Sequence, residues 1–122
     1  MYPLTIILTI AVCVLSLAPI GRVEIASDVP FADKWTHMVM YAALTAAVFA
    51  DTWRARLPLT RLRAVALLLC PIALGALMEV MQAYLTTYRS GEWLDLMADA
   101  LGAAVAWCTG IAVMRRACRS TR

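Results

Sequence analysis

A single histidine and a single lysine occur in 122 residues, and both fall in the stretch Asp33-Lys34-Trp35-Thr36-His37. Charge of either sign is scarce, at 16% of the chain, whereas 63% of the residues are hydrophobic. A water-soluble domain of this length needs far more polar surface, so the composition argues against one. There is no glycine-rich phosphate loop, no Gly-x-Ser-x-Gly and no internal repeat, which removes the commoner nucleotide-binding and serine-hydrolase readings. The four cysteines show no Cys-x-x-Cys and no Cys/His spacing suited to zinc. Cys13, Cys70 and Cys108 lie within apolar runs, where a small polarizable hydrophobe is the simplest reading.

What the chain does have is long apolar blocks, and its mean hydropathy is +0.77. Four spans are expected, at about residues 3–20, 34–50, 64–85 and 94–114. A helix crosses the hydrocarbon with roughly 20 residues, and backbone left unpaired in lipid is not tolerated. The fold expected is therefore an all-α membrane protein, a four-transmembrane-helix bundle forming one domain. The first block lacks a basic leader, and Ala18-Pro19-Ile20-Gly21 is a poor cleavage site, so a retained span is expected rather than a cleaved signal. Pro71 should kink the third span.

Orientation follows from the arginines. Arg54, Arg56, Arg61, Arg63, Arg115, Arg116, Arg119 and Arg122 fall on one side, against Arg22, Lys34 and Arg89 on the other. The positive-inside rule then puts both termini and the middle loop in the cytoplasm. The net charge of +3 is explained by this asymmetry, and no nucleic-acid partner is expected. Trp35, Trp53, Tyr84, Tyr88 and Trp93 stand at span edges, as interfacial aromatics do. Small residues recur every four positions at Ala98, Gly102, Ala106 and Gly110, and again at Ala42, Ala46 and Ala50, which suggests close helix approach.

The polar residues inside the spans share a depth. His37 lies roughly 5 Å below the outer end of the second span, Glu79 roughly 9 Å below that surface in the third, and Asp99 roughly 8 Å down in the fourth. The cytoplasmic halves are expected to hold no ionisable group beyond cysteine thiols. Asp33, His37 and Tyr41 share one helix face, Glu79 and Gln82 are three apart, and Asp95, Asp99 and Gly102 line one face of the fourth span. Ionisable groups in a span normally face the bundle interior and pair with one another, so a polar pocket opening outward is expected. Blander roles stay open: Asp33 as an N-cap, Asp95 as an N-cap or first-turn acid, Lys34 snorkelling to headgroups, and His37 as a structural residue.

The series Asp33-Lys34-x-x-His37-x-x-x-Tyr41, Glu79-x-x-Gln82, Arg89 and Asp95-x-x-x-Asp99-x-x-Gly102 resembles the VanZ-like membrane proteins over about residues 30 to 110. In that family an asparagine is usual where Asp99 stands here. The resemblance implies a multi-pass protein of the bacterial cytoplasmic membrane. The family's namesake is associated with resistance to teicoplanin, which binds lipid-linked cell-wall precursors outside that membrane.

Two kinds of function follow. In one, the pocket binds a membrane lipid or lipid-linked envelope precursor, alone or with membrane-protein partners or a second copy of the chain. In the other it is the active site of a hydrolase or transferase. His37, Glu79 and Asp99 would be its catalytic acid and base groups. Asp33, Lys34, Tyr41, Gln82, Arg89 and Asp95 would bind the ligand, with Lys34 and Arg89 on a phosphate or carboxylate. No cofactor is required, although a divalent metal on His37, Glu79 and Asp99 is a variant. A channel is disfavoured because no polar path crosses the inner leaflet.

Overall fold

A computed structural model of the chain describes residues 2–18, 31–87 and 91–120. Four helices account for nearly all of them, and no strand occurs among the described residues: α1 (Pro3–Leu17), α2 (Ala32–Arg54), α3 (Arg61–Leu85) and α4 (Trp93–Ser120). Local chemistry explains several ends. Pro3 opens α1, where its missing N–H costs nothing. Thr60 caps α3, its side chain accepting from the Arg63 N–H at 3.2 Å. α3 runs on as one helix through the buried Pro71.

The boundaries differ from those expected in two ways. α2 starts at Ala32 and continues to Arg54, and α4 continues past 114. α1 ends at Leu17, so at 1.5 Å per residue it spans only about 22 Å. Two helices, Arg61–Leu85 and Trp93–Ala117, are long and apolar enough to cross a membrane, rather than four. α1 falls short on length, and α2 is diluted by His37, Asp51 and its threonines. In the apolar windows of α3 and α4 only 28% and 22% of the residues are buried, which is unlike the core helix of a soluble domain. Leu69, Leu77, Val80, Leu101, Val105 and Val113 all face outward. In water so much bare apolar surface would drive aggregation. Trp35, Trp53, Tyr84 and Trp93 are exposed at helix ends; Tyr88 lies outside the described residues.

α2 touches each of the other three helices. Cross-helix partners give the directions: Thr5 meets Asp51, Gln82 meets Ser16, and His37 meets Asp99. The helices therefore alternate, with α2 parallel to α4. Gly102 lies directly against the Met38 backbone, and Gly110 against the Phe49 ring. The glycines expected to allow close approach do so, but the alanines of α2 do not complete a zipper. Ala42, Ala46 and Ala50 instead border, with Ala106, an open apolar groove of about 680 Å³ between α2 and α4.

The end of the bundle opposite the polar cluster corrects a second expectation. Asp51, placed by sequence in the middle loop, is inside α2 and 1% exposed. Its Oδ2 accepts from the Thr5 N–H at 2.8 Å and from the Thr5 hydroxyl at 2.9 Å. α1 has no side-chain cap of its own, and a helix leaves its first N–H groups unpaired. Asp51 thus caps α1 from a neighbouring helix. Asp51→Ala is expected to lower stability in detergent by about 1–2 kcal/mol, the scale of a lost N-cap. An unchanged thermal midpoint would mean that the first turn of α1 does not depend on this carboxylate.

Candidate functional site

The start of α2, the end of α3 and the start of α4 lie together at one end of the bundle, and the polar residues of all three converge there. His37 is one turn into α2 and buried. Its Nδ1 stands 2.9 Å from Asp99 Oδ1 on α4 and 4.0 Å from Glu79 Oε1 on α3. Its Nε2 faces Asp95 Oδ2 at 3.8 Å. One imidazole is therefore ringed by three carboxylates from two other helices. Asp99 is 0% exposed and Glu79 8%. At such burial a polar atom without a partner is costly, by about 1–3 kcal/mol and more when charged.

Several partners are filled. Glu79 Oε2 accepts from the Glu92 N–H at 2.8 Å, which ties the approach to α4 onto α3. Lys34 donates to Asp95 and to Glu92, and Asp33 lies 3.9 Å from its ammonium. Other atoms are not satisfied. Asp99 Oδ2, Glu79 Oε1 and the Tyr41 hydroxyl are buried with no hydrogen-bond partner among the described residues. Gly75 of α3 makes room for Asp99: a Cβ there would lie 2.7 Å from Asp99 Oδ2.

Of the residues singled out from the sequence, His37, Glu79, Asp95 and Asp99 form the buried cluster, and Lys34 closes it from above. Asp33 is part of the rim and stands in the first turn of α2, whose N-cap is Phe31 rather than Asp33. Asp95 is indeed a first-turn acid of α4, but it turns inward and is buried. Lys34 does not snorkel away, since its Nζ is held by two carboxylates. Tyr41 lies one turn deeper than His37 and is 0% exposed, packed with Val12 and Leu44. Gln82 Nε2 donates to the Ser16 carbonyl at 2.9 Å, joining α3 to the last turn of α1. Arg89 lies outside the described residues.

Sequence reasoning missed Glu92, Asp51 and Gly75. Glu92 carried a usable signal, because it stands three residues before Asp95 at the mouth of the same helix. The rim formed by Asp33, Lys34 and Glu92 is the accessible part of the site, with side chains 44%, 21% and 45% exposed. Below it the groups are packed against one another, so the site is a closed polar cluster under an open rim rather than a wide pocket.

This arrangement supports two kinds of chemistry. A histidine between carboxylates can relay a proton, and inward-facing carboxylate oxygens with no donor can take up a cation or a polar ligand group. No protein-family model, no curated protein and no solved structure matches this chain.

Proposed function

We propose that this chain is a VanZ-like protein of the bacterial cytoplasmic membrane, a four-span bundle with both termini in the cytoplasm. Its polar cluster faces outward and engages a lipid or lipid-linked envelope precursor. The observation that carries the reading is the convergence of His37, Glu79, Asp95 and Asp99 from three helices at one end. Groups this costly to bury in a membrane bundle mark functional sites by default. Arg54, Arg56, Arg61, Arg63, Arg115 and Arg116 stand at the other end of these helices, and by the positive-inside rule that asymmetry supports an outward-facing cluster.

A lipid-linked ligand suits both parts of the surface. The rim offers the Lys34 ammonium, and the apolar groove between α2 and α4 begins at Val39, two residues beyond His37. A polar headgroup at the rim would leave its hydrocarbon chain free to lie along that groove. Membrane-protein partners or a second copy would act on the same exposed rim. The unpaired oxygens of Glu79 and Asp99 beside His37 also favour a second reading, in which the site is a hydrolase or transferase acting on that material.

The test is teicoplanin susceptibility in a sensitive Gram-positive host, comparing wild type with Glu79→Gln at matched membrane abundance. Wild type is expected to raise the inhibitory concentration several-fold and Glu79→Gln to return it to the empty-vector value. If both proteins insert and neither protects, the antibiotic role is wrong for this chain.

A further inference from the structure

We propose that His37, Glu79 and Asp99 bind one divalent transition-metal ion, with Asp95 orienting the histidine from behind. The proposal rests on the reading above only in taking the cluster to be the working part of the molecule.

The geometry comes first. One donor atom from each of His37, Glu79 and Asp99 can be chosen so that all lie within 4.8 Å of one another, and all three residues are buried. Metal–donor bonds of about 2.1 Å place adjacent donors about 3 Å apart and opposite ones about 4.2 Å apart. The Nδ1 to Asp99 separation of 2.9 Å and the Nδ1 to Glu79 separation of 4.0 Å fall in that range. The three donors are thus close enough for one ion to draw the carboxylates inward around it.

A second, independent observation points to a ligand. Glu79 Oε1 is buried, faces Nδ1 and has no hydrogen-bond partner among the described residues, and Asp99 Oδ2 has none there either. A single Nδ1–H cannot serve both carboxylates, and it already stands at hydrogen-bond distance from Asp99. A cation in place of that proton would satisfy Glu79 and Asp99 together. The charge balance agrees. Among the described residues five carboxylates gather here (Asp33, Glu79, Glu92, Asp95 and Asp99), against Lys34 and a histidine.

The other face of the imidazole supplies the support that ligating histidines usually have. With Nδ1 on the metal, Nε2 faces Asp95 Oδ2 at 3.8 Å, close enough to hydrogen-bond after a small shift, and Asp95 is in turn held by Lys34. A carboxylate behind the ring fixes its orientation and raises its basicity. Donors of one imidazole and two carboxylates suit Mn²⁺ and Zn²⁺, with Zn²⁺ the tighter by the usual affinity order. Three protein donors leave positions for water or for a ligand oxygen entering from the rim. A phosphate-bearing ligand could then approach an otherwise acidic site, because the ion supplies the positive charge.

The experiment uses the full chain, purified in detergent without a histidine tag and stripped with chelator. Mn²⁺ is titrated in, bound metal is counted after desalting, and the nitrogen coupling on Mn²⁺ is read by pulsed electron paramagnetic resonance. His37 is the only histidine of the chain, so an imidazole nitrogen signal identifies the ligand. One ion per chain with that coupling, and its release by Zn²⁺, is the expected result. Glu79→Gln and Asp99→Asn are expected to weaken binding at least tenfold. Asp95→Asn should weaken it about tenfold while keeping the nitrogen coupling, since loss of a supporting carboxylate typically costs 10- to 100-fold. Gly75→Ala, which changes no donor, should also weaken binding by pushing Asp99 aside.

Folding of each variant is checked by its thermal midpoint, and the wild-type spectrum decides even if a variant unfolds. Sub-stoichiometric metal, or bound Mn²⁺ with no nitrogen coupling, overturns the proposal. So does binding unchanged in both Glu79→Gln and Asp99→Asn. These readings need no antibiotic, so failure of the envelope reading and failure of the metal site are separable.

Discussion

Gly102→Ala is expected to disrupt the contact between α2 and α4, and Gly102→Val to prevent the bundle from assembling. A Cβ at Gly102 would run into the Met38 carbonyl oxygen and lie 2.9 Å and 3.0 Å from the carbonyl carbon and Cα of the same residue. All three atoms are backbone, so no side-chain rotation relieves the clash. The helices must separate. In soluble cores overpacking costs about 1–3 kcal/mol, and in lipid no hydrophobic effect exists to hold the displaced helices together. The site is disturbed as well, since Met38 follows His37 and Gly102 lies three residues beyond Asp99. Thermal unfolding in detergent and membrane abundance measure the effect. A wild-type midpoint for Gly102→Ala would show that the two backbones are not this close.

Lys34→Met is expected to destabilise the protein by roughly 2 kcal/mol, less than breaking a fully buried ion pair from one side because the ammonium is on the rim. Lys34 stands on the accessible rim, but Asp95, which it holds, is 3% exposed. Removing the ammonium leaves the Asp95 carboxylate beside Asp99 and Glu79, with no lysine or arginine among the described residues to balance it. Adding Asp95→Asn to Lys34→Met is expected to recover much of the loss, because the uncompensated charge then disappears. If the double variant is no more stable than Lys34→Met, Lys34 contributes by packing rather than by neutralising Asp95. The share of stability carried through Glu92 should be small, because that carboxylate is about half exposed and its attraction is screened.

These two expectations concern contacts of different legibility. The small-residue spacing of α4 was readable, and Gly102 and Gly110 do lie against α2. The matching alanines of α2 misled, because alanine is abundant in apolar helices and its spacing says nothing about which way a helix is turned. Lys34 stood out as the only lysine, yet its role required Glu92 and Asp95 to be across from it.

Hydropathy and charge determined a good deal. Four helices follow from the apolar blocks, and the common depth of His37, Glu79 and Asp99 follows from counting residues along each. The convergence of those residues was thereby expected before any contact was known. Depth is a property of one helix and its rise per residue, so one-dimensional information suffices for it.

Tertiary structure decided the partners. Gln82 joins α3 to α1, Asp51 caps α1 from α2, Gly75 seats the Asp99 carboxylate, and Glu92 reaches Lys34 while its N–H holds Glu79. Each depends on the rotation and relative shift of two helices. In an apolar bundle nearly every face is hydrophobic, so periodicity marks no preferred face for packing. Only the packed helices specify which oxygen meets which donor, and which buried oxygens are left without one.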